Sequence, residues 1–284
     1  MQFLAMRRLA LTALFLGAAA LVAPTAYAEQ TAHQTHHTSP AAKPVNIKWT
    51  SAKSATIKPA SGNYISVKEI PALPAPPAVK SRAHRADIKQ IIGVQAYAVP
   101  EEIAAARDEQ SLRPAHLVSM LDKYVSRTEL PLTFALLDRT GADVNAVTWA
   151  AKKHWHTTRP YRLDHRIKLL VDPLPADNYG YPSGHSSTSL VWAQILTQLD
   201  PAAAARLQHQ ADRIAWHRVL AGVHTPHEVD GGKKLGAAIF AALMEKPAFQ
   251  TDLTAAHAEY DAWRAATTPA SRKNWKSFKS HVAE

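Results

Sequence analysis

Beyond Pro77 the chain reads as one helix after another, and that pattern leaves little room for a fold built on a sheet. Apolar residues recur at spacings of three and four, and no stretch shows the strict alternation between turn signals that marks strands. Pro100, followed by Glu101 and Glu102, suits a helix start, with proline where no N–H is needed and acids near the positive end of the dipole. Residues 116–138 carry Leu117, Met120, Leu121 and Tyr124 on one side of a predicted helix, and Asp143 is placed to cap another running to about Trp155. Further helices are predicted from Ser186 to Leu199, from Asp200-Pro201 to about Val223, from about Glu228 to Met244, and from Pro247 to Ala265. The expected fold class is all-α.

The chain ahead of this region is of a different kind. Arg7 and Arg8 precede an apolar run from Leu9 to Val22, and Ala26-Tyr27-Ala28 supplies a small-x-small cleavage pattern. The run is shorter than the ~20 apolar residues a membrane span needs. Residues 1–28 are therefore expected to be a signal peptide cleaved after Ala28, leaving a soluble periplasmic or secreted protein with no transmembrane segment. The paired arginines leave both general and twin-arginine export open. Residues 29–71, rich in Ser, Thr, Ala, Lys and Pro, are expected to form a flexible linker or arm. Its His33, His36 and His37 read as an adventitious metal cluster. The stiff run Leu73 to Pro77 leads into the folded domain, placed at residues 72–266. Residues 267–284, with Arg272, Lys273, Lys276 and Lys279, form a basic tail.

No cysteine is present, which excludes disulfides, thiolate metal sites and cysteine nucleophiles. The formal charge of +10 becomes +8 once the two leader arginines are removed. Such a charge favours anionic partners without choosing among phosphate esters, nucleic acid and anionic membrane surfaces.

Three clusters narrow that choice. Lys152 stands seven residues before Arg159-Pro160, about two helical turns, so the two cations can point the same way. Gly180-Tyr181-Pro182-Ser183-Gly184-His185-Ser186 lies directly before a helix. There free amides and the dipole bind anions, Ser183 adds a hydroxyl, and His185 sits where a proton can be delivered. His217-Arg218 is followed by His224 and then Glu228. The Arg218 guanidinium suits phosphate oxygens, and a carboxylate four residues after His224 can orient the imidazole if the backbone there is helical. Together the clusters supply three cations, a backbone nest, one imidazole for attack and one for protonation, which are the parts of phosphoryl transfer.

At these residues the sequence resembles the type 2 phosphatidic acid phosphatase superfamily, and within it the soluble bacterial class A nonspecific acid phosphatases. The pattern Lys-x6-Arg-Pro, Pro-Ser-Gly-His, Ser-Arg-x5-His-x3-Asp is met by Lys152 to Pro160, Pro182 to His185 and His217 to Glu228, and the likeness runs from about Leu73 to Trp263. The resemblance implies that His224 is the nucleophile, forming a phosphohistidine, and that His185 protonates the leaving alcohol. It implies that Lys152, Arg159, Ser183, the Gly184 amide and Arg218 hold the phosphoryl oxygens. It further implies no metal and no other cofactor, small-molecule phosphate esters as substrates, no nucleic-acid partner, and the helical bundle shared with vanadium haloperoxidases.

Two positions depart from the pattern: His217 replaces its Ser and Glu228 its Asp. Glutamate still accepts a hydrogen bond from His224, but its longer side chain must fold differently. His217 reads as a structural residue ahead of a second-layer donor. His227 lies close enough in sequence to touch substrate, whereas His154 and His156 reflect local composition. Three rival readings stand beside an exported phosphomonoesterase. One is a lipid or pyrophosphate-lipid phosphatase at a membrane surface, another an oxidase using vanadate, and the third a phosphate-binding protein that has lost catalysis.

Overall fold

Regular structure among the described residues is helical, with no strand. The computed structural model describes residues 63–69, 73–123 and 125–267, all within the compact unit Lys48–Glu284. The expected signal peptide, residues 29–62 of the arm with its three histidines, Tyr124 and the basic tail from residue 268 lie outside the described residues. In order, the helices are α1 Arg82–Ala96, α2 Pro100–Asp108, α3 Ala115–Val118, α4 Pro131–Trp155, α5 Pro160–Leu163, α6 Gly184–Leu199, α7 Ala204–Leu220, α8 Pro226–Met244 and α9 Pro247–Ala266. None is long and apolar enough to cross a membrane.

Helix α6 is the hub. Leu190, Val191, Trp192, Ile195, Leu196 and Leu199 are all buried on it, so it is apolar nearly all round and needs neighbours on every side. α4, α7 and α8 pack directly against it, with α3 and α9 adding contacts. α8 comes especially close: a Cβ on Gly232 would lie 2.4 Å from the Ser183 carbonyl oxygen. That approach holds α8 against the first turn of α6.

Two expectations about helix boundaries are corrected. Residues 116–138 are not one helix, because α3 stops at Val118 and α4 begins only at Pro131. Proline disfavours helical backbone at the residue before it and has no N–H to continue a preceding helix; Leu130 takes φ −124° and ψ 58°. Glu259 of α9 then caps α4 from outside, accepting from the amides of Leu132 and Thr133 at 2.8 Å each. Asp143 does not cap a helix but sits in the middle of α4, where its buried carboxylate accepts from the Tyr64 amide at 3.0 Å.

Candidate active site

Lys152 lies in the last turn of α4, which ends at Trp155, and His156 comes next in the left-handed region at φ 48°. The two-turn helical register between Lys152 and Arg159 is therefore corrected: the chain leaves the helix before Arg159. Arg159 is instead presented on extended backbone (φ −62°, ψ 143°) directly before Pro160, as the clash with a following proline requires. The two cations still meet, because both anchor on one loop. Lys152 Nζ donates to the Gly180 carbonyl at 2.9 Å, and Arg159 donates to the Asn178 carbonyl at 2.9 Å and side-chain oxygen at 2.6 Å.

That loop runs into α6. Ser183 is the N-cap, its hydroxyl accepting from the Ser186 amide at 3.4 Å. Gly184 and His185 then head the helix, where amides have no acceptor within the helix itself. His185 Nε2 lies 2.9 Å from the Glu109 carbonyl oxygen, so it carries the hydrogen and donates. Arg218 Nη1, at 3.3 Å from the same nitrogen, is then a neighbouring cation and not a hydrogen-bond donor to it.

Arg218 and His224 are joined by the turn that ends α7. Gly222 has φ 75°, and a Cβ there would lie 2.5 Å from the Lys168 carbonyl oxygen. The Gly222 amide donates to Val219 O at 2.9 Å and the Val223 amide to Arg218 O at 3.2 Å, the paired bonds of a glycine-terminated helix. The turn puts His224 one residue ahead of the next N-cap, Thr225. Thr225 and Glu228 form a reciprocal capping box at the start of α8, with Pro226 in the first turn. Glu228 Oε2 thus accepts from the Thr225 amide at 3.1 Å and from His224 Nδ1 at 2.9 Å. Arg159 Nη1 rests against the same ring, 2.7 Å from His224 Nε2 and 3.2 Å from Nδ1. The Glu228 carboxylate sets the tautomer, with the proton on Nδ1 and the lone pair on Nε2.

Lys152, Arg159, Gly184, His185, Arg218 and His224 line one cavity of about 870 Å³. Ser183 and Glu228 stand behind its wall, the first as a cap whose own hydroxyl hydrogen is still available, the second as the partner of His224. Burial pushes the Lys152 ammonium well down, and Arg159 adds to that push. Burial also lowers both Arg159 and Arg218 to about 10. His185 is pushed down to about 3 by burial and then by Arg218. His224 is likewise held well below the usual imidazole range by burial, with Arg159 and Lys152 contributing. Burial pushes the Glu228 carboxyl up, while Arg159 and Lys152 pull it back. Buried positive charge with so little compensation favours an anion in the cavity.

The remaining histidines are placed elsewhere. His217 is buried and donates through Nδ1 to Glu109 Oε2 at 2.6 Å, tying α7 to the end of α2. His227 does not line the cavity; it pairs with Asp87 at 2.6 Å. His154 and His156 also lie off the wall, edge-on to Trp155 and Tyr179. Sequence reasoning passed over Glu109, Asn178, Thr157 and Gly222. Only Gly222 had a local signal, a glycine just past a helical run. The others act through backbone atoms or contacts across the fold, which carry no motif.

Residues 142–252 match the PAP2 superfamily. The non-specific acid phosphatase of Salmonella typhi is 37% identical over 108 residues, 37% of this chain and 43% of that protein. The non-specific acid phosphatase of Salmonella typhimurium is 35% identical over the same length and the same shares. The acid phosphatase of Zymomonas mobilis is 27% identical over 164 residues, 54% of this chain and 62% of that protein. The match therefore spans less than half the length of the two Salmonella relatives. Residues 142–252, within this helical fold and holding most of the cavity's cationic side chains, are thus similar to the PAP2 superfamily.

Proposed function

We propose that this protein is an exported phosphatase that hydrolyses phosphomonoesters through a phosphohistidine on His224, with no metal taking part. The observation that carries the reading is the His224 ring: Glu228 holds Nδ1, which leaves the lone pair on Nε2, and His224 lines one cavity with Lys152, Arg159 and Arg218. An imidazole so held is a ready nucleophile, and the carboxylate stabilises the positive charge that develops on attack.

In the first step Nε2 bonds to phosphorus as the bond to the leaving oxygen breaks, and His185 gives that oxygen a proton. Lys152, Arg159, Arg218, the Gly184 amide and the Ser183 hydroxyl hold the phosphoryl oxygens, where charge accumulates. Water then attacks phosphorus as the N–P bond breaks, and His185 takes a proton from that water. With its pKa near 3 in the free site, His185 is neutral until phosphate arrives. A bound dianion raises that value by offsetting Arg218, so substrate arms its own acid.

An ester-hydrolysis assay with an EDTA control, run beside His224→Ala, tests the proposal. Retained activity in EDTA and its loss in the mutant are expected. Inactivation by EDTA overturns the metal-free reading, and full activity in the mutant overturns the nucleophile. A water-soluble ester assayed beside a micellar lipid phosphate separates the phosphomonoesterase from a surface-acting lipid phosphatase. Export is supported by the leader sequence, and N-terminal sequencing of periplasmic protein, expected to begin at Glu29, tests it.

A further inference from the structure

The glutamate at 228 stands where the superfamily pattern has aspartate, and its extra methylene must go somewhere. A Cβ built on Gly180 would lie 2.0 Å from Glu228 Oε1 and 2.8 Å from its carboxyl carbon. The carboxylate therefore fills the space that a side chain at 180 would occupy. Gly180 cannot step aside, because both faces of its backbone are tied. Its amide donates to the Thr157 carbonyl at 2.9 Å, and its own carbonyl accepts from Lys152 Nζ at 2.9 Å. The Thr157 hydroxyl completes the seat, accepting from the Tyr181 amide at 2.6 Å and donating to Glu228 Oε1 at 3.4 Å.

We infer that Gly180 is a positioning residue for His224, its missing side chain being the space in which Glu228 reaches the imidazole. Glycine at 180 and glutamate at 228 then form a matched pair, and each is correct only with the other. A methyl group at 180 would meet the far end of a side chain, so the carboxylate would give way before the fold did. What is lost is the contact to Nδ1, and with it the tautomer and aim of the nucleophile. The inference rests on the proposed role of His224.

The test is a double-mutant cycle on Gly180→Ala, Glu228→Asp and the pair together. Gly180→Ala is expected to lower kcat about tenfold or more with KM changed less than about threefold. Adding Glu228→Asp to it is expected to restore most of that loss. Wild-type kcat in Gly180→Ala, or independent losses that multiply in the double variant, overturns the pairing. If Gly180→Ala does not fold, the step from Glu228→Asp to the double variant decides. Unchanged or increased turnover supports the pairing, and a tenfold fall overturns it. A readout independent of turnover is the imidazole 15N NMR signature of His224. The Nδ1–H form is expected to be lost in Gly180→Ala and regained in the double variant, and a signature unchanged across the series overturns the inference. Full activity in His224→Ala would instead overturn the nucleophile while leaving this NMR result standing.

Discussion

Arg159 Nη1 lies 2.7 Å from His224 Nε2 and 3.2 Å from Nδ1 of the same ring, so in the free protein a guanidinium rests against the imidazole. In the proposed mechanism the same guanidinium holds a phosphoryl oxygen. Arg159→Ala should lower kcat/KM for a soluble aryl phosphate by ~10²–10³-fold, the usual cost of removing one preorganised donor from a transition state. Arg159→Lys should recover little, because an ammonium cannot hold Asn178 and a phosphoryl oxygen in one planar fork. Wild-type kcat/KM in either variant would remove Arg159 from the phosphate site.

The carboxylate behind His224 can be separated from its role as a cap. Glu228→Gln keeps an acceptor for the Thr225 amide but loses the negative charge that stabilises a positive imidazole. A fall in kcat of about 10²-fold or more is expected, with a melting temperature within a few degrees of wild type. Unchanged turnover would rule out the orienting role.

His185 is assigned to protonation of the leaving oxygen, so its loss should depend on the leaving group. With an alkyl phosphate, His185→Asn should lower kcat/KM by ~10²–10⁴-fold. With p-nitrophenyl phosphate, whose leaving oxygen needs no proton, the loss should be at least about tenfold smaller. Equal losses on both esters would argue against the proton-donor role.

Stability should also report the buried imidazoles. The pKa of His185 is lowered to about 3, and that of His224 also lies well below the usual range, whereas unfolded histidine titrates near ~6.5. Below that value the unfolded chain takes up protons that the folded site refuses, so stability is lost as pH falls. For His185 the window extends down to about 3. Each such group contributes about 1.4 kcal/mol per pH unit. Thermal melts from pH 7 to 5 should therefore decline, less steeply in His185→Asn, and inorganic phosphate should flatten the decline. An identical slope in wild type and variant would refute the linkage.

Thr225 offers a check on local structure. Its hydroxyl accepts from the Glu228 amide at 3.1 Å within the capping box. Thr225→Ala should cost about 1 kcal/mol, or ~2–4 °C in melting temperature for a domain of this size. It should also loosen Glu228 and lower turnover. A variant as stable and as active as wild type would show that the box contributes nothing.

Periodicity and local chemistry along the chain were enough to read the all-α class and the starts of α2 and α9. Six of the residues that line the cavity, Lys152, Arg159, Gly184, His185, Arg218 and His224, were also legible, because charged and amide-rich segments keep their types and spacings in sequence. Local pattern misled where long-range contacts decide. The break at Leu130-Pro131 was hidden by apolar spacing that continues across it, and Glu259 from the distant α9 caps the first turn of α4. Asp143 looked like a cap and became an acceptor for Tyr64. Lys152 and Arg159 were expected to share a face through one helix. Instead they converge because separate segments anchor on the loop at residues 178–180. The side chains the site requires were set by the sequence itself. The tautomer of His224, the seat of Glu228 against Gly180 and the buried pairing of His217 with Glu109 were decided only by tertiary structure. Each of these depends on which atoms packing brings within hydrogen-bond or van der Waals reach, and at those distances a single methyl group changes the outcome.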